Sequence, residues 1–250
     1  MSLCLVANWK LNGSKEFNNQ WAFEFFKYFN HNNYASIGIA PASLYFDHLK
    51  AVLGDNDIKI GSQNIDLEEK GARTGEISAS MIKDLGCEFS IVGHSERRML
   101  FHETNEMIGQ KLTQANNNSV IPILCVGESA QENQSNKTFK ILEQQIIKAL
   151  GNANELSSLI IAYEPVWAIG TGKTPNPEEI NSVHRMIKDV VQSRFPKTGL
   201  KSVLYGGSVN LKNASSLFEQ KNIDGALVGG ASLNGKEFAL IANVFNELRL

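Results

Sequence analysis

Eight short apolar stretches of strand length recur along the 250-residue chain at intervals of roughly thirty residues, with helical patterns between them. They are rich in Val, Ile and Leu with little polar alternation, which is typical of strands buried on both faces. The stretches are Leu3–Ala7, Ser36–Ala40, Ile58–Gln63, Phe89–Gly93, Val120–Val126, Leu159–Tyr163, Ser202–Tyr205 and Ala226–Gly229. Eight parallel strands are the number that closes a barrel. We therefore predict an α/β protein, a (βα)8 barrel that forms a single domain over residues 1–250.

The helical pattern is clearest between Asn176 and Pro196. Asn176 suits a helix N-cap, Pro177 suits the first helical position, and two acids follow in the first turn. Apolar residues then recur at helical spacing, which indicates a face turned toward the sheet rather than a groove for a cofactor or partner. The last segment, from Phe238 to Leu248, repeats this pattern. No linker or charge block divides the chain, which agrees with one domain.

The composition excludes several classes of partner. The net charge is −2 and the sequence pI is about 6.2, so no overall basic field exists to hold nucleic acid or an acidic membrane. No run approaches the roughly 18 apolar residues of a membrane span, and the N-terminus lacks the basic start of a signal peptide. We expect a cytoplasmic protein in which an anionic ligand is bound by local lysines or backbone amides.

The three cysteines, Cys4, Cys87 and Cys125, are far apart along the chain. They form neither a disulfide framework nor a CxxC pair. Each lies in or beside an apolar run, where a free cysteine acts as a small core residue. We therefore predict a structural role for them, with redox or nucleophilic chemistry as the less favoured alternative.

Unusual polar residues follow several of the predicted strands. In a (βα)8 barrel the chemistry lies at the carboxyl ends of the strands and in the loops after them. Asn8 and Lys10 follow the first strand, Gln63-Asn64 the third, His94 the fourth and Glu164 the sixth. An isolated lysine at such a place more often simply reaches the surface. In a barrel mouth, however, Lys10 would offer a compact charge to an anion, and Asn8 could hold a carbonyl or hydroxyl oxygen.

Glu164 ends an apolar strand and precedes a segment bounded by Pro165 and Pro175, with Trp167 and two glycines between them. Proline stiffens the ends of this segment and glycine frees its middle. Such a segment can move as a lid that excludes water. A carboxylate sheltered from water becomes a stronger base. The pattern therefore predicts a gated proton-transfer site.

His94 ends a strand and opens a helix. Free amides at a helix start can donate to one imidazole nitrogen, which would keep the ring neutral and leave the other nitrogen as a donor. No second His or Cys lies at ligand spacing, so we expect no metal. The neighbouring Glu96 belongs either to a structural ion-pair network with Arg97 or Arg98, or to the site. The histidines expected to be solvated or satisfied are His31, His48, His102 and His184.

Two glycine pairs, Gly206-Gly207 and Gly229-Gly230, follow the seventh and eighth predicted strands. Either pair alone is more often a plain turn. In a barrel, however, the loops after these two strands frequently form a phosphate site with the start of a short helix. The N–H groups of Gly207, Ser208, Gly229 and Gly230 could then approach phosphate oxygens. A slightly acidic protein could bind a phosphate monoester in this way.

Together these residues resemble the triosephosphate isomerase family over essentially the whole chain. Five ordered motifs at family-like spacing carry the resemblance. They are Asn8-Trp9-Lys10-Leu11-Asn12-Gly13, Thr74-Gly75-Glu76, Gly93-His94-Ser95-Glu96-Arg97-Arg98, Ala162-Tyr163-Glu164-Pro165-Val166-Trp167-Ala168-Ile169-Gly170-Thr171-Gly172 and Tyr205-Gly206-Gly207-Ser208-Val209. The resemblance implies a TIM-barrel homodimer that interconverts dihydroxyacetone phosphate and D-glyceraldehyde 3-phosphate in glycolysis and gluconeogenesis, without a cofactor.

The resemblance also implies roles for individual residues. It makes Glu164 the catalytic base, His94 the electrophile, Lys10 the electrostatic partner and Asn8 an oxygen-binding residue, and it moves Glu96 toward a supporting role beside the lysine. The substrate and its phosphate would be bound by Asn8, Lys10, Gly170, Ser208, Gly229 and Gly230. The lid would consist of Pro165, Val166, Trp167, Ala168, Ile169, Gly170, Thr171, Gly172, Lys173 and Thr174. The contact with the second subunit would involve Thr74, Gly75 and Glu76.

Three positions depart from the family pattern. Leu11 stands where a methionine is common, a swap that conserves volume. Arg73 stands where an aromatic residue is common in the loop that reaches the partner, so we expect the contact to change, with an added charge pair. The stretch 129–136 is more polar than the usual helix start, which indicates a different surface and the same chemistry.

Two other interpretations were weighed against the resemblance. Another phosphate-handling barrel enzyme, such as a sugar-phosphate isomerase or an aldolase, would keep the glycine turns but would require a Schiff-base lysine within a strand or a metal cluster, and neither is evident. A non-catalytic barrel that acts as a scaffold would have no reason to combine Glu164, His94 and Lys10. Both are therefore less favoured.

Overall fold

In the computed structural model the strands close into one parallel barrel. The structure describes residues 3–30, 36–169 and 175–249. Within these ranges eight strands follow one another around the barrel in chain order, and the first pairs with the last in parallel. They are β1 (Leu3–Asn8), β2 (Ser36–Ala40), β3 (Ile58–Ser62), β4 (Phe89–Val92), β5 (Ile121–Val126), β6 (Leu159–Tyr163), β7 (Leu200–Tyr205) and β8 (Ala226–Val228). The predicted (βα)8 TIM barrel is confirmed, with every strand within two residues of its predicted bounds.

Helices cover the outside of the barrel. In the described part of the chain the α-helices are α1 (Lys15–Tyr28), α2 (Phe46–Leu53), α3 (Ala79–Asp84), α4 (Ser95–Leu100), α5 (Asn105–Asn117), α6 (Ala130–Gln134), α7 (Thr138–Gly151), α8 (Pro177–Arg194), α9 (Ala214–Phe218) and α10 (Gly235–Arg249). Short 3₁₀ helices span Ser43–Tyr45, Val166–Ala168 and Gly230–Leu233. None of the helices described here has the length and apolar character needed to cross a lipid bilayer.

The two-residue period of a strand decides which side chains enter the barrel. In β6, Ile160 and Ala162 pack with the cluster inside the barrel, whereas Ile161 and Tyr163 pack between the sheet and the helices. Successive side chains of a strand point to opposite faces. The next residue in the inward series is Glu164, whose carboxylate is therefore aimed into the barrel mouth.

Close packing inside the barrel depends on two glycines. A Cβ on Gly38 would lie 2.7 Å from the ring of Phe89, and a Cβ on Gly61 would lie 2.4 Å from it. Both separations are far below van der Waals contact, so only glycine leaves room for this fully buried ring. Phe89 begins β4, and its packing fixes the strand that leads to His94.

Helix α8 has the predicted start and one unexpected residue. The Asn176 side chain accepts the N–H of Glu178, as the sequence predicts for an N-cap. His184, on the buried face of the helix, is fully buried, with its ring centroid 6.0 Å from that of Tyr163. Neither ring nitrogen makes a well-aligned hydrogen bond. Backbone groups of Asn222 and Val203 lie beside the ring, so His184 is buried rather than solvated, because helical spacing turns this position toward the sheet.

Two of the other histidines agree with the prediction. His102 is exposed. The ring of His48 has a polar partner, since its Nδ1 lies 3.3 Å from the Nδ2 of Asn18. His31 lies outside the described residues. The buried position of His184 therefore distinguishes it from His48 and His102.

Burial of His184 should make the folded protein sensitive to acid. Burial, reinforced by the charge of Lys188, lowers the pKa of His184 from 6.5 to about 3. The unfolded chain takes up this proton near pH 6.5, whereas the folded chain does so only near pH 3. The contribution of His184 to the free energy of unfolding is therefore full above pH 6.5. It falls by about 1.4 kcal/mol per pH unit as the pH drops toward 3. We expect His184→Asn to remove this component from the pH dependence of the free energy of unfolding, measured with urea.

An exposed histidine provides the control for this experiment. His102→Asn should leave the pH dependence unchanged, and asparagine suits the φ of 55° at this position. Since His184→Asn also changes packing, the comparison uses the slope against pH and not the absolute stability. An unchanged slope in His184→Asn would show that His184 does not cause the acid sensitivity.

Candidate active site

The polar residues predicted from the sequence come together at the carboxyl ends of the strands. They line a cavity of about 210 Å³ in the barrel mouth. Its walls come from the segments that follow β1, β4, β6, β7 and β8. The lining residues are Asn8, Lys10, His94, Glu164, Ile169, Gly206, Gly207, Ser208, Val209, Leu227, Gly229, Gly230 and Ala231. Each predicted catalytic residue is among them, and so are Ser208, Gly229 and Gly230 from the predicted phosphate site.

Lys10 is held in an unfavourable backbone conformation by its neighbours. Its φ is 51°, in the left-handed region that a residue with a side chain seldom adopts. The Asn8 Oδ1 accepts the Lys10 N–H at 3.1 Å, and the Gln63 amide donates to the carbonyls of Lys10 and Ala40 at 2.8 and 3.0 Å. The Lys10 ammonium binds the Glu96 Oε1 at 2.6 Å. These bonds keep the charge of Lys10 at the mouth instead of in solvent.

Glu96 lies beside Lys10 rather than within an arginine network. Arg97 instead forms an ion pair with the buried Glu103. Arg98 donates to the backbone carbonyls of Gly93 and Cys125, where β4 and β5 end. Of the two alternatives that the sequence left open, this arrangement favours a role for Glu96 in the site.

His94 caps helix α4 with its own ring. Its Nδ1 accepts the backbone N–H of Glu96 at 3.2 Å. A nitrogen that accepts this bond carries no hydrogen, so the hydrogen of the neutral ring is on Nε2. That nitrogen faces the mouth and lies 3.1 Å from the Glu164 Oε1. The bond from the helix start to the ring is the one that the sequence predicts, and it leaves a hydrogen-bond donor directed at the cavity.

Glu164 is almost fully buried, with 1% of its surface exposed. Its Oε2 accepts the backbone N–H of Ser95 at 2.9 Å. Its Oε1 has no well-aligned donor among the described residues, although the His94 Nε2 is close. One carboxylate oxygen is therefore fixed and the other is able to accept a proton. A Cβ on Gly206 would lie 2.8 Å from the Glu164 Cγ, so this glycine leaves room for the carboxylate.

The contributions of Ser95 and Gly206 to Glu164 were not predicted. Ser95 acts through its backbone amide, and Gly206 acts through the absence of a side chain, so neither has a chemical group that marks it in the sequence. One signal was available for Ser95. The first N–H groups of a helix have no partner within the helix, and Ser95 begins α4.

The two glycine turns follow β7 and β8, and β8 lies across the closed barrel from β4, the strand that leads to His94. A Cβ on Gly207 would lie 2.2 Å from the Tyr205 hydroxyl oxygen, so the turn after β7 requires glycine. The turn after β8 leads directly into the 3₁₀ helix Gly230–Leu233. A Cβ on Gly229 would lie 3.7 Å from the Lys10 Cε, which brings this turn close to the only lysine that lines the described cavity.

A hydrogen bond to Glu128 anchors the start of the predicted lid. The Trp167 Nε1 donates to the Glu128 Oε1 at 2.9 Å, and the Tyr163 hydroxyl donates to the same oxygen at 3.2 Å. Burial raises the pKa of Glu128, whereas these bonds act in the opposite direction. Ile169 reaches the cavity. The remaining lid positions lie outside the described residues, and they are Gly170, Thr171, Gly172, Lys173 and Thr174.

Arg73 forms an ion pair within its own chain. Its Nε lies 2.7 Å from the Oδ1 of the buried Asp66 in the same chain. This pair lies next to the exposed residues Thr74, Gly75 and Glu76, and the expected charge pair with a second subunit stays a prediction. The polar stretch 129–136 forms the short helix α6, which begins with a capping box. Leu11 is almost completely exposed, at 98%.

The cysteines have structural surroundings. Cys125 is buried inside the barrel, and burial together with the nearby carboxylate of Glu164 raises the pKa of its thiol well above the ordinary value. Burial raises the pKa of Cys87 to about 11. Both side chains are therefore protonated thiols, which are poor nucleophiles. Among the residues that the structure describes, no three His, Cys, Asp or Glu side chains form a group that could hold a metal.

Comparison with known proteins agrees with this geometry. A family model described as triosephosphate isomerase matches residues 3–245. The chain is 41% identical to the triosephosphate isomerase of Histophilus somni (strain 2336) over 241 residues, covering 95% of this chain and 94% of the relative. It is 39% identical to that of Legionella pneumophila (strain Lens), covering 97% and 98%, and 42% identical to that of Serratia proteamaculans (strain 568), covering 95% and 94%. The chain belongs to the triosephosphate isomerase family.

Proposed function

We propose that this protein, acting as a single catalytic domain over residues 1–250, interconverts dihydroxyacetone phosphate and D-glyceraldehyde 3-phosphate. One observation carries the proposal. A proton acceptor, the Glu164 Oε1, and a hydrogen-bond donor, the His94 Nε2, lie 3.1 Å apart in the same cavity. As the family resemblance implies, we place the activity in cytoplasmic glycolysis and gluconeogenesis.

The proposed reaction moves a carbonyl group by one carbon. Glu164 removes a proton from the carbon next to the carbonyl, and the electron pair of that C–H bond forms the double bond of an enediolate. The carbonyl π electron pair moves onto its oxygen, the proton of the neighbouring hydroxyl then passes to that oxygen, and the same carboxylic acid returns its proton to the former carbonyl carbon, so no oxidant or reductant is consumed. A positioned base of this kind contributes about 10²–10⁴-fold to the rate.

The negative charge of the enediolate needs donors that are already in place. The His94 Nε2 hydrogen and the Lys10 ammonium face the cavity, and Asn8 lines it beside them. Glu96 binds the lysine and orients it. Because these groups are fixed before the charge develops, one such donor contributes about 2.7–4 kcal/mol. This arrangement supports His94 as the electrophile and Lys10 as the electrostatic partner.

The phosphate group is proposed to bind opposite His94. Ser208, Gly229 and Gly230 line that side of the cavity, where glycine leaves the backbone N–H groups open to an oxygen. Lys10 lies near the same turn and adds a positive charge. Gly170, which the resemblance adds to this set, lies outside the described residues. Local amides and one lysine thus allow a protein with a net charge of −2 to bind an anion.

Residues 165–174 are proposed to act as a lid. The supporting observation is the anchor of Trp167 on Glu128, which holds the start of this segment beside the catalytic base. Exclusion of water would shelter the enediolate and hinder loss of its phosphate.

An assay coupled to dihydroxyacetone phosphate reduction tests the proposed function directly. The purified protein should convert glyceraldehyde 3-phosphate without added metal or cofactor and should also catalyse the reverse reaction. A protein that left both trioses unchanged, or that acted only on a longer sugar phosphate, would contradict the proposal. The second outcome would favour the alternative of another sugar-phosphate barrel enzyme.

We also propose that the protein is a homodimer. Large apolar side chains are exposed beside the active-site mouth, with 98% of Leu11, 69% of Leu100 and 60% of Phe101 accessible. They line a groove of about 550 Å³ that also contains Lys10 and His94. The loop with Thr74, Gly75 and Glu76 is exposed. A second copy that inserts this loop into the groove would cover the apolar side chains and support the catalytic ones.

Phe101→Glu is expected to weaken the dimer by about 2 kcal/mol or more, because it removes a large apolar side chain from the proposed contact and places a charge there, beside Arg97. Size-exclusion chromatography with light scattering should give twice the subunit mass of 27.6 kDa for the unmodified protein and a concentration-dependent shift toward 27.6 kDa for the variant. Phe139→Glu, at a half-exposed phenylalanine on α7, is the control. A mass of 27.6 kDa for the unmodified protein would refute the dimer.

A further inference from the structure

The segment Val126-Gly127-Glu128 supports the backbone around Glu164. The Glu164 N–H donates to the Val126 carbonyl at 2.7 Å, and the Val166 N–H donates to the Glu128 carbonyl at 3.1 Å. The parallel ladder between β5 and β6 thus continues beyond both strands. A Cβ on Gly127 would lie 1.8 Å from the Glu164 carbonyl oxygen, so the two backbones are in direct contact there. The position of Glu164 therefore depends on the position of Gly127.

On its other side, this segment extends beyond the end of the neighbouring strand, β4. The register between β4 and β5 ends at Val92 and Leu124, because β4 turns there into the loop that carries His94. Alternate residues of a strand direct their backbone groups to opposite neighbours. Cys125 and Gly127 therefore face the side where β4 has ended. A buried backbone group left without a partner would cost stability and precision.

Side chains replace the missing strand. Arg98 donates to the Cys125 carbonyl at 3.0 Å. Gln145 satisfies both groups of Gly127, since its Oε1 accepts the Gly127 N–H at 2.9 Å and its Nε2 donates to the Gly127 carbonyl at 2.9 Å. One amide thus makes the pair of bonds that a neighbouring strand would make. Gln145 is held in turn by helix α7, where its neighbour Ile146 is fully buried in the core.

We propose that Gln145 is a positioning residue for proton transfer. Its amide fixes the Gly127 peptide, the peptide fixes the backbone of Glu164, and the same segment fixes Glu128, which anchors Trp167. Gln145 itself does not line the cavity in which the reaction is proposed to occur. This inference rests on the proposed function, in which Glu164 is the base.

Gln145→Met tests the proposal, because methionine has nearly the same volume and makes neither bond. Displacement of a catalytic group by about 1 Å can cost about 100-fold in rate. We expect kcat to fall by about ten- to a hundredfold with KM within about twofold, since the groups proposed to bind phosphate are on the opposite side of the cavity. The fraction of substrate lost by phosphate elimination should rise, because the anchored start of the lid shifts with Glu128.

The matched control is Gln144→Met, on the preceding and exposed residue of the same helix, which should behave as the unmodified protein. Gln145→Glu is measured in parallel. Its carboxylate can still accept the Gly127 N–H but repels the Gly127 carbonyl, so it should also lower kcat and raise elimination. Circular dichroism and thermal unfolding establish that each variant is folded.

Two results separate this inference from the proposed function. If the unmodified protein isomerises triose phosphates, and Gln145→Met and Gln145→Glu lower only the melting temperature with unchanged kcat and elimination, Gln145 is merely structural and the inference is overturned. If the unmodified protein has no isomerase activity, the proposed function fails, and the positioning role fails with it.

Discussion

Replacing Glu164 with aspartate is expected to lower kcat by about 10²–10⁴-fold while KM changes by less than about threefold. The change withdraws the carboxylate by one methylene from the carbon that it must deprotonate. It also breaks the geometry set by the Ser95 N–H at 2.9 Å and by the space that Gly206 leaves. The groups proposed to hold the phosphate are untouched, so substrate binding should survive. Steady-state kinetics in both directions measure the two parameters.

Glu178→Asp, at an exposed glutamate in the first turn of α8, is the matched control for this variant. It should leave both parameters as they are in the unmodified protein. Exchange of the substrate hydrogen with solvent provides a second measurement, because a displaced base should slow the exchange along with turnover. Full turnover in Glu164→Asp would mean that another group removes the proton.

Replacing His94 with glutamine is expected to lower kcat by about 10²–10³-fold, which corresponds to about 2.7–4 kcal/mol of lost transition-state stabilisation. The imidazole Nε2 is aimed by the bond between Nδ1 and the Glu96 N–H at 3.2 Å. A glutamine amide has no such bond to fix its direction, so its N–H would not be preorganised toward the enediolate oxygen. The loss should appear in kcat rather than in KM, because the interaction is made mainly in the transition state.

The exposed His102 provides the control for this second variant, since His102→Gln should have no kinetic effect. Thermal unfolding of His94→Gln must also be compared with the unmodified protein, because His94 caps helix α4. A kcat within about threefold of the unmodified value would contradict the role of His94 as the electrophile.

Local sequence patterns predicted the barrel because the strands repeat one physical signal. Each is a short β-branched and apolar run, and β2 and β6 have the predicted bounds without change. The end of α8 and its Asn176 cap were predicted for the same reason, since caps and proline stops act over a few residues. The residues of the barrel mouth were predicted from the predicted fold, because the chemistry of this fold lies at the carboxyl ends of the strands.

Other features depend on which segments meet in space. The pairing of Arg73 with Asp66 and the burial of His184 were not predicted, because each depends on neighbours that no local pattern identifies. Ser95 supports Glu164 through its backbone N–H, and Gly206 does so by leaving space that a side chain would fill. Such contributions cannot be assigned until the chain is folded.

By itself, the sequence determined the strands, two of the outer helices (α8 and α10) and which side chains enter the barrel mouth, because hydrophobic periodicity and strand parity are local properties of the chain. Only the tertiary structure decided that the His94 ring and the Glu164 carboxylate are aimed at each other. The His94 Nε2 faces the Glu164 Oε1 because two other bonds fix these groups. The start of α4 holds the imidazole ring through Nδ1, and the Ser95 amide holds the second carboxylate oxygen, Oε2. Gln145 reaches Gly127 across 18 residues of sequence because β4 ends before β5 does, and the unpaired backbone there needs hydrogen bonds from elsewhere in the fold.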